Sequence, residues 1–168
     1  LKDRTGGVVE MDLATVLKQD EEMFNKYYAE QIAQYHITYQ FRYPESGLIM
    51  RGNAELLSKT LMSMIGNSIY AIIKKAQRNP YDATLSLDAK LADGVITLVI
   101  RDNGIGIEEK IIDKIFDPFF TTKTTGEASG IGLYLSHDII QNYGGNIAVE
   151  SVKDEYTQFT ITLPAITE

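Results

Sequence analysis

The sequence predicts an α/β fold in which a sheet with antiparallel hairpins is covered by helices on one face. Apolar residues recur at helical spacing over residues 11–34 and again over residues 53–76. Residues 83–89 instead alternate apolar and polar side chains, and residues 95–101, which follow an Asp93-Gly94 turn, are apolar almost throughout. This is the pattern of a β-hairpin whose second strand is central, and a second pair of strand-like segments ends the chain. With 168 residues, the chain is long enough for one sizeable core, so a single domain is expected.

The elements follow from local signals in chain order. Residues 1–8 are mostly polar and contain a glycine pair, so they are interpreted as a linker remnant ahead of one domain over residues 9–168. A helix is predicted from Met11 to about Gln34, with Asp12 as its cap. Alternation, caps and turn residues then predict, in order, a half-buried strand at 36–43, a short strand at 48–51, a long helix from Asn53 to about Ala76, the hairpin, a short helix at 108–116, a Thr- and Gly-rich loop at 117–129, a helix at 131–143, and strands at 146–152 and 157–163.

The composition narrows the classes of function. The chain has a formal net charge of −7 and no cluster of Lys and Arg, which argues against nucleic-acid binding. It has no cysteine and two histidines, so disulfides, thiolate chemistry and a zinc site are not expected. No apolar run reaches the ~20 residues of a membrane span, so this segment is expected to make no membrane contact. A cytoplasmic location fits, and the start at Leu1 suggests a fragment whose parent is compatible with a membrane anchor.

Asp102 is the first candidate binding residue. It shares the inward face of its strand with Ile96 and Ile100, and a carboxylate at the end of a core strand needs a partner. Gly104 and Gly106 follow it and allow the backbone to turn and to approach a flat ligand. An adenine amine would suit the carboxylate as a donor. The alternative is a turn in which Asp102 forms only local hydrogen bonds.

Asn67, in the longest helix, is the second candidate. It shares one helical stripe with Thr60, Ser63, Ala71 and Lys74, opposite a buried apolar stripe. Its amide oxygen would suit a Mg²⁺ ion already held by phosphates, because Mg²⁺ takes oxygen ligands and keeps several waters. The alternative is an ordinary Asn on a solvated helix face.

A glycine-rich loop supplies the third element. Residues 126–133, Gly-Glu-Ala-Ser-Gly-Ile-Gly-Leu, run into a helix whose exposed amides would bind phosphate. Residues 116–123, Phe-Asp-Pro-Phe-Phe-Thr-Thr-Lys, resemble a hinge and lid over a nucleotide. Lys123 and Lys74 are candidate cations for the phosphate oxygens, although each alone is also explained as a surface charge.

Taken in order, four motifs resemble the boxes of sensor histidine kinase catalytic domains: Ser63-Met64-Ile65-Gly66-Asn67-Ser68, Asp102-Asn103-Gly104-Ile105-Gly106, Phe116-Asp117-Pro118-Phe119 and Gly130-Ile131-Gly132-Leu133. These domains share a superfamily with gyrase, heat-shock chaperone and MutL ATPases. The resemblance spans about residues 9–164. It implies the Bergerat-type ATP-binding fold, a two-layer α/β sandwich of a mixed, mostly antiparallel sheet covered on one face by three main helices.

The resemblance also implies ATP and Mg²⁺ as cofactors. Asn67 would bind the metal as the catalytic residue, Asp102 would bind the adenine amine, and Gly104 and Gly106 would line the purine. Further contacts to the nucleotide would come from Ser63, Lys74, Ile107, Phe119, Thr122, Lys123, Gly130, Ile131, Gly132 and Leu133. The domain would orient the γ-phosphoryl group for attack by a histidine of a separate dimerisation domain of the same parent, with a response regulator downstream.

Two positions depart from the family's pattern. Ser63 stands where Asn is common, and Tyr-Thr-Gln-Phe at residues 156–159 replaces a Gly-x-Thr-Phe pattern. Related hydrolases and serine kinases commonly have a glutamate at the Ser63 position, and serine cannot act as a base at neutral pH, so both activities are disfavoured. A non-catalytic nucleotide-binding module is the remaining alternative. His137 superficially resembles an acceptor histidine, but it lacks the following proline and is expected to be an exposed helical residue.

Overall fold

Seven strands and five helices make up the part of the chain that the computed structural model describes, which comprises residues 7–118, 120 and 133–166. In chain order they are β1 Val9–Asp12, α1 Leu13–Tyr27, α2 Ala29–Gln34, β2 Thr38–Arg42, β3 Ile49–Gly52, α3 Ala54–Arg78, β4 Thr84–Ala92, β5 Val95–Asp102, α4 Glu109–Ile112, α5 Tyr134–Asn142, β6 Asn146–Val152 and β7 Tyr156–Pro164.

A five-stranded sheet forms one layer. Its strand order is β2-β4-β5-β7-β6, in which β2 and β4 are parallel and the other neighbours are antiparallel. The apolar strand β5 lies at the centre, as its sequence predicts. β1 and β3 pair separately as a short antiparallel ribbon. The predicted fold class, with a mixed and mostly antiparallel sheet, is confirmed.

Three main helices, α1, α3 and α5, form the second layer. β5 directs alternate residues Ile96, Leu98 and Ile100 into the core, where none is exposed, while Thr97 and Val99 on its other face are half-buried. α3 is the central helix, in contact with α1, α5 and β5. By length and composition α3 could also cross a membrane, but eight of its residues are buried in this core. The two-layer arrangement therefore explains why it is so apolar.

Side-chain caps set the starts of the two long helices. Asp12 accepts a hydrogen bond from the Ala14 amide, and Asn53 accepts one from the Leu56 amide. Each cap satisfies an amide that has no partner within its helix, and both were predicted. α3 carries Lys75 and Arg78 in its last turn, where positive charge is favourable.

Two predicted helices are wrong in extent. The helix predicted from Met11 to Gln34 begins only after strand β1 and breaks at Tyr28, whose backbone leaves helical geometry. The ring of Tyr28 packs 5.5 Å from that of Phe24, and its hydroxyl lies against Gly66 of α3, so tertiary packing sets the break. The short helix predicted at 108–116 ends at Ile112 and continues as turns.

Candidate functional site

A cavity opens between α3, the end of β5 and the turn between β6 and β7. Its empty volume is about 770 Å³, which includes the open space at its mouth. Apolar residues, among them Ile105, Ile107 and Phe159, make up much of the described lining, and charged residues such as Arg78, Glu108 and Lys153 also line it. Such a cavity suits a flat, largely apolar group with a polar edge.

Asp102 is the buried carboxylate of this cavity. It ends β5, is 2% exposed, and accepts a hydrogen bond of 2.8 Å from the Gly104 amide. Burial raises the pKa of Asp102 to about 7, against the opposing effects of that amide, the Ser68 hydroxyl and the charges of Arg101 and Lys75. The local turn and the inward position are therefore both present, and the two interpretations of Asp102 are compatible.

Ser68 adds a second buried polar group beside Asp102. Its hydroxyl is close enough to lower the pKa of the carboxyl group, but its geometry falls short of a hydrogen bond, and its oxygen has no partner in the described part of the chain. A buried hydroxyl without a partner is unfavourable. A ligand that donates a hydrogen bond to Asp102, and that donates one to the Ser68 hydroxyl or accepts one from it, would satisfy both groups.

The glycines after β5 bring the chain close to its own neighbours. A Cβ on Gly104 would lie 2.5 Å from the carbonyl carbon of Ala71, and one on Gly106 would lie 2.3 Å from the carbonyl oxygen of Val152. Gly106 also has a positive φ of 69°. The Ile105 amide then donates to the Ala71 carbonyl at 3.1 Å. The glycines therefore fix the loop against α3 and the β6–β7 turn, and the loop in turn lines the cavity.

The predicted polar stripe of α3 divides between several environments. Asn67 lines the cavity and is half-buried. Ser63 is exposed and belongs instead to a groove that Tyr27 and Tyr28 line, and the Lys74 ammonium lies 5.4 Å from the centroid of the Tyr70 ring. Neither Ser63 nor Lys74 is among the described residues that line the cavity, and Thr60 is buried at 2% exposure rather than solvated.

Several other predicted residues have different placements. Ile107 and Gly106 line the cavity. Leu133 is 1% exposed, and its amide donates to the Ile115 carbonyl at 2.9 Å, which makes it a core contact. The predicted residues Phe119, Thr122, Lys123, Gly130, Ile131 and Gly132, and with them most of the proposed lid and of the phosphate loop, lie outside the described residues. His137 lies in α5 with its ring 4.9 Å from that of Phe116.

Thr157 is a lining residue that the sequence did not single out. It is the first of the alternate residues of β7 that point into the core, it is 5% exposed, and it pairs directly with Asp102 of β5. Its hydroxyl lies 2.9 Å from that of Ser151, which accepts from the Ile107 amide. The alternation of β7 shows that Thr157 points inward, but only the pairing of the two strands places it beside Asp102.

The chain is similar to known sensor kinases. The family described as histidine kinase-, DNA gyrase B- and HSP90-like ATPase matches residues 55–167. The two-component sensor PprA of Pseudomonas aeruginosa is 31% identical over 135 residues, which cover 80% of this chain and 14% of that protein. The signal transduction histidine-protein kinase AtoS of Escherichia coli is 36% identical over 115 residues, or 68% of this chain and 18% of that protein. The chain thus spans less than a quarter of these relatives.

Solved structures share the fold. A nucleotide-free structure of the catalytic domain of histidine kinase ThkA has a TM-score of 0.74 at 23% identity, over 94% of this chain and 95% of that chain. The mycobacterial sensor histidine kinase MprB has a TM-score of 0.74 at 19% identity, over 96% of this chain and all of that chain. At these identities the likeness concerns the fold alone.

Proposed function

Since the chain belongs to the histidine kinase-, DNA gyrase B- and HSP90-like ATPase family, we propose that it is the ATP-binding catalytic domain of a two-component sensor histidine kinase. In this role it transfers the γ-phosphoryl group of Mg-ATP to a histidine on a separate dimerisation domain. The sensor kinases among its relatives support this choice within the family. They also support a response regulator as the downstream partner and a cytoplasmic position for the domain.

The buried carboxylate Asp102 is the observation that carries the proposal. It is held at the cavity by the Gly104 amide, and the adjacent Ser68 hydroxyl has no partner in the described residues. An adenine amine would donate to the carboxylate, and the purine ring would lie against Ile105 and Ile107. This arrangement recognises a base, and it leaves the phosphates to extend along α3 toward Asn67.

Asn67 is the candidate ligand for Mg²⁺. Its amide oxygen is an acceptable ligand type, and its side chain lines the same cavity as Asp102. Within the described ranges no group of three His, Cys, Asp or Glu side chains could hold a metal. Mg²⁺ would therefore depend on phosphate oxygens as well as on Asn67, which matches an ion that arrives with its nucleotide. Its role would be to neutralise phosphate charge during transfer.

Hydrolysis is the competing activity within the family. Ser63, one helical turn before Asn67, is exposed and does not line the cavity in the described structure, and serine is not a base at neutral pH. The chain therefore lacks a carboxylate at the position from which related hydrolases activate water. Phosphoryl transfer to an external nucleophile needs no such base from this domain.

A phosphotransfer assay separates these activities. The purified chain should bind Mg-ATP, release phosphate only slowly, and not label itself. Mixed with the dimerisation domain of its parent, it should label the histidine of that domain, giving a product that survives alkali and is lost in acid. Transfer between separated domains is expected to be slow, because a covalent linker normally supplies the effective concentration.

Matched controls assign the activity to this site. The Asp102→Asn variant should lose transfer together with ATP binding, whereas Lys90→Met, an exposed position on β4, should behave as wild type. Brisk hydrolysis with no transfer would favour an ATPase. Tight ATP binding with neither reaction, even at high acceptor concentration, would favour a non-catalytic module.

A further inference from the structure

Lys75, in the last turns of α3, joins three segments beside the cavity. Its ammonium group donates to the carbonyl oxygen of Asn103 at 3.2 Å and to that of Asp154 at 2.8 Å. It also lies 4.6 Å from the centroid of the Tyr81 ring. Lys75 therefore contacts at once the loop after β5, the β6–β7 turn and the segment that precedes β4.

The two carbonyl groups belong to different walls of the cavity. The loop after β5 contributes Ile105 and Ile107 to the lining, and the β6–β7 turn contributes Asp154. The walls also meet directly, through a hydrogen bond from the Asp154 amide to the Ile105 carbonyl. Two carbonyl dipoles directed at one ammonium group form charge-assisted hydrogen bonds, which are stronger than neutral ones. Lys75 thus adds the positive charge that holds both walls to α3.

We propose that Lys75 is a positioning residue for adenine recognition, which holds the Gly104–Ile107 loop and the β6–β7 turn at the spacing that a purine ring requires. The proposal rests on the function proposed above. Lys75 is not among the described residues that line the cavity, so it acts through the walls rather than on the nucleotide. Walls that are ordered in advance raise affinity, because binding does not have to order them.

Lys75 also acts on the charge of Asp102. The groups that face this carboxyl group are Ser68 and Lys75 on α3, Arg101 on β5, Tyr81 before β4 and Thr157 on β7. The positive charge of Lys75 lowers the pKa of Asp102. Without that charge the carboxyl group is protonated at higher pH, so acid should weaken nucleotide binding at a higher pH than in wild type. A residue that served stability alone would not move this pH profile.

The variant Lys75→Met tests the proposal, because it keeps an unbranched apolar side chain and removes the ammonium group. Lys59→Met is the matched control: Lys59 is on the same helix, pairs at 3.7 Å with the exposed Glu55, and does not line the cavity. Calorimetry with ADP should show the Kd of Lys75→Met raised about tenfold, because nucleotide binding then has to order the two walls. The Lys59→Met variant should bind ADP as wild type does.

Amide exchange and the pH profile distinguish positioning from general stability. In Lys75→Met, exchange should quicken at the Ile105 and Asp154 amides while the buried centre of α3 stays protected. The pH at which half of the ADP affinity is lost should rise. In wild type, an ammonium group held by two carbonyls should give a slowly exchanging ¹⁵Nζ signal, a measurement that does not depend on the folding of any variant.

The outcomes separate this proposal from the function on which it rests. If the wild type does not bind ADP, or if Asp102→Asn binds it equally well, the adenine site fails and this proposal fails with it. If Asp102→Asn weakens binding and Lys75→Met does not, Lys75 alone is refuted. A weakened Lys75→Met with unchanged exchange at Ile105 and Asp154, or a Lys75 ammonium signal that exchanges as fast as those of exposed lysines, also refutes it.

Discussion

Replacing Asp102 by Asn should stabilise the nucleotide-free protein at alkaline pH while weakening its binding of ATP. The carboxyl group is 2% exposed, and burial raises its pKa from an ordinary 3.8 to about 7. The Asn side chain keeps an oxygen that can accept from the Gly104 amide, and it carries no charge. The variant therefore removes an unfavourable buried charge without losing the local turn.

The direction in which stability changes with pH follows from the raised pKa of Asp102. Because the folded state binds this proton more tightly than the unfolded state does, the free energy of unfolding of wild type falls as pH rises from 3.8 to about 7, and the full loss is present above pH 7. Between pH 5 and pH 8 this group should reduce wild-type stability by about 3 kcal/mol, at roughly 1.4 kcal/mol for each pH unit up to the folded pKa. The Asn variant has no such dependence.

Urea unfolding of both proteins at pH 5 and pH 8, without nucleotide, measures the difference. The stability of Asp102→Asn relative to wild type should increase by about 3 kcal/mol between these pH values. Asp138→Asn, at an exposed position in α5, is the matched control and should follow wild type. A relative stability of Asp102→Asn that is the same at both pH values would show that Asp102 is not a buried ionised group, and the argument for its adenine contact would be lost.

Three further changes test other contacts. Gly104→Ala should lower the free energy of unfolding in urea by about 1 to 3 kcal/mol, because its Cβ would lie 2.5 Å from the backbone of Ala71. A variant as stable as wild type would contradict this packing. The stability of Asp20→Asn relative to wild type should be about 1 to 3 kcal/mol greater at pH 8 than at pH 4, because burial raises the pKa of Asp20 to about 6. Only one oxygen of Asp20 accepts a hydrogen bond, from Ser58, in the described structure. A relative stability that does not change with pH would refute this. Asn67→Ala should remove the Mg²⁺ dependence of ATP binding in calorimetry, and a retained dependence would remove Asn67 from the metal site.

The elements that the sequence predicted well have signals within their own residues. β4, β5, β6 and β7 alternate or are uniformly apolar, and α3 has a cap and a continuous apolar stripe, so their types and approximate ends were correct. β1 was missed because its four residues are a strand only through pairing with β3, more than thirty residues later. The break at Tyr28 involves neither Gly nor Pro, and it depends on contacts with Phe24 and α3 that no local pattern contains.

The residues of the candidate site also fall into those that one element alone predicts and those that depend on tertiary structure. The inward phase of β5 predicted Asp102, and helical spacing predicted Asn67, because each follows from one element alone. Thr157 and the β6–β7 turn could not be placed without the register of β7 against β5. Ser63 and Lys74 were assigned to the stripe of Asn67, but spacing alone does not show how α3 is rotated about its axis, and the packed helix directs neither residue into the described lining.

One turn of α3 connects base recognition to the rest of the fold. Ala71 and Lys75 are four residues apart and so lie on the same face of the helix. The Ala71 carbonyl accepts from the Ile105 amide, and the Lys75 ammonium donates to the Asn103 carbonyl, so the loop after Asp102 is fixed to this turn on both sides of Gly104. A larger residue than Ala71 would push that loop away, because Gly104 already lies in close contact with it. The small residue and the lysine therefore fix together the loop that follows Asp102, while burial at this position raises the pKa of the Asp102 carboxyl group.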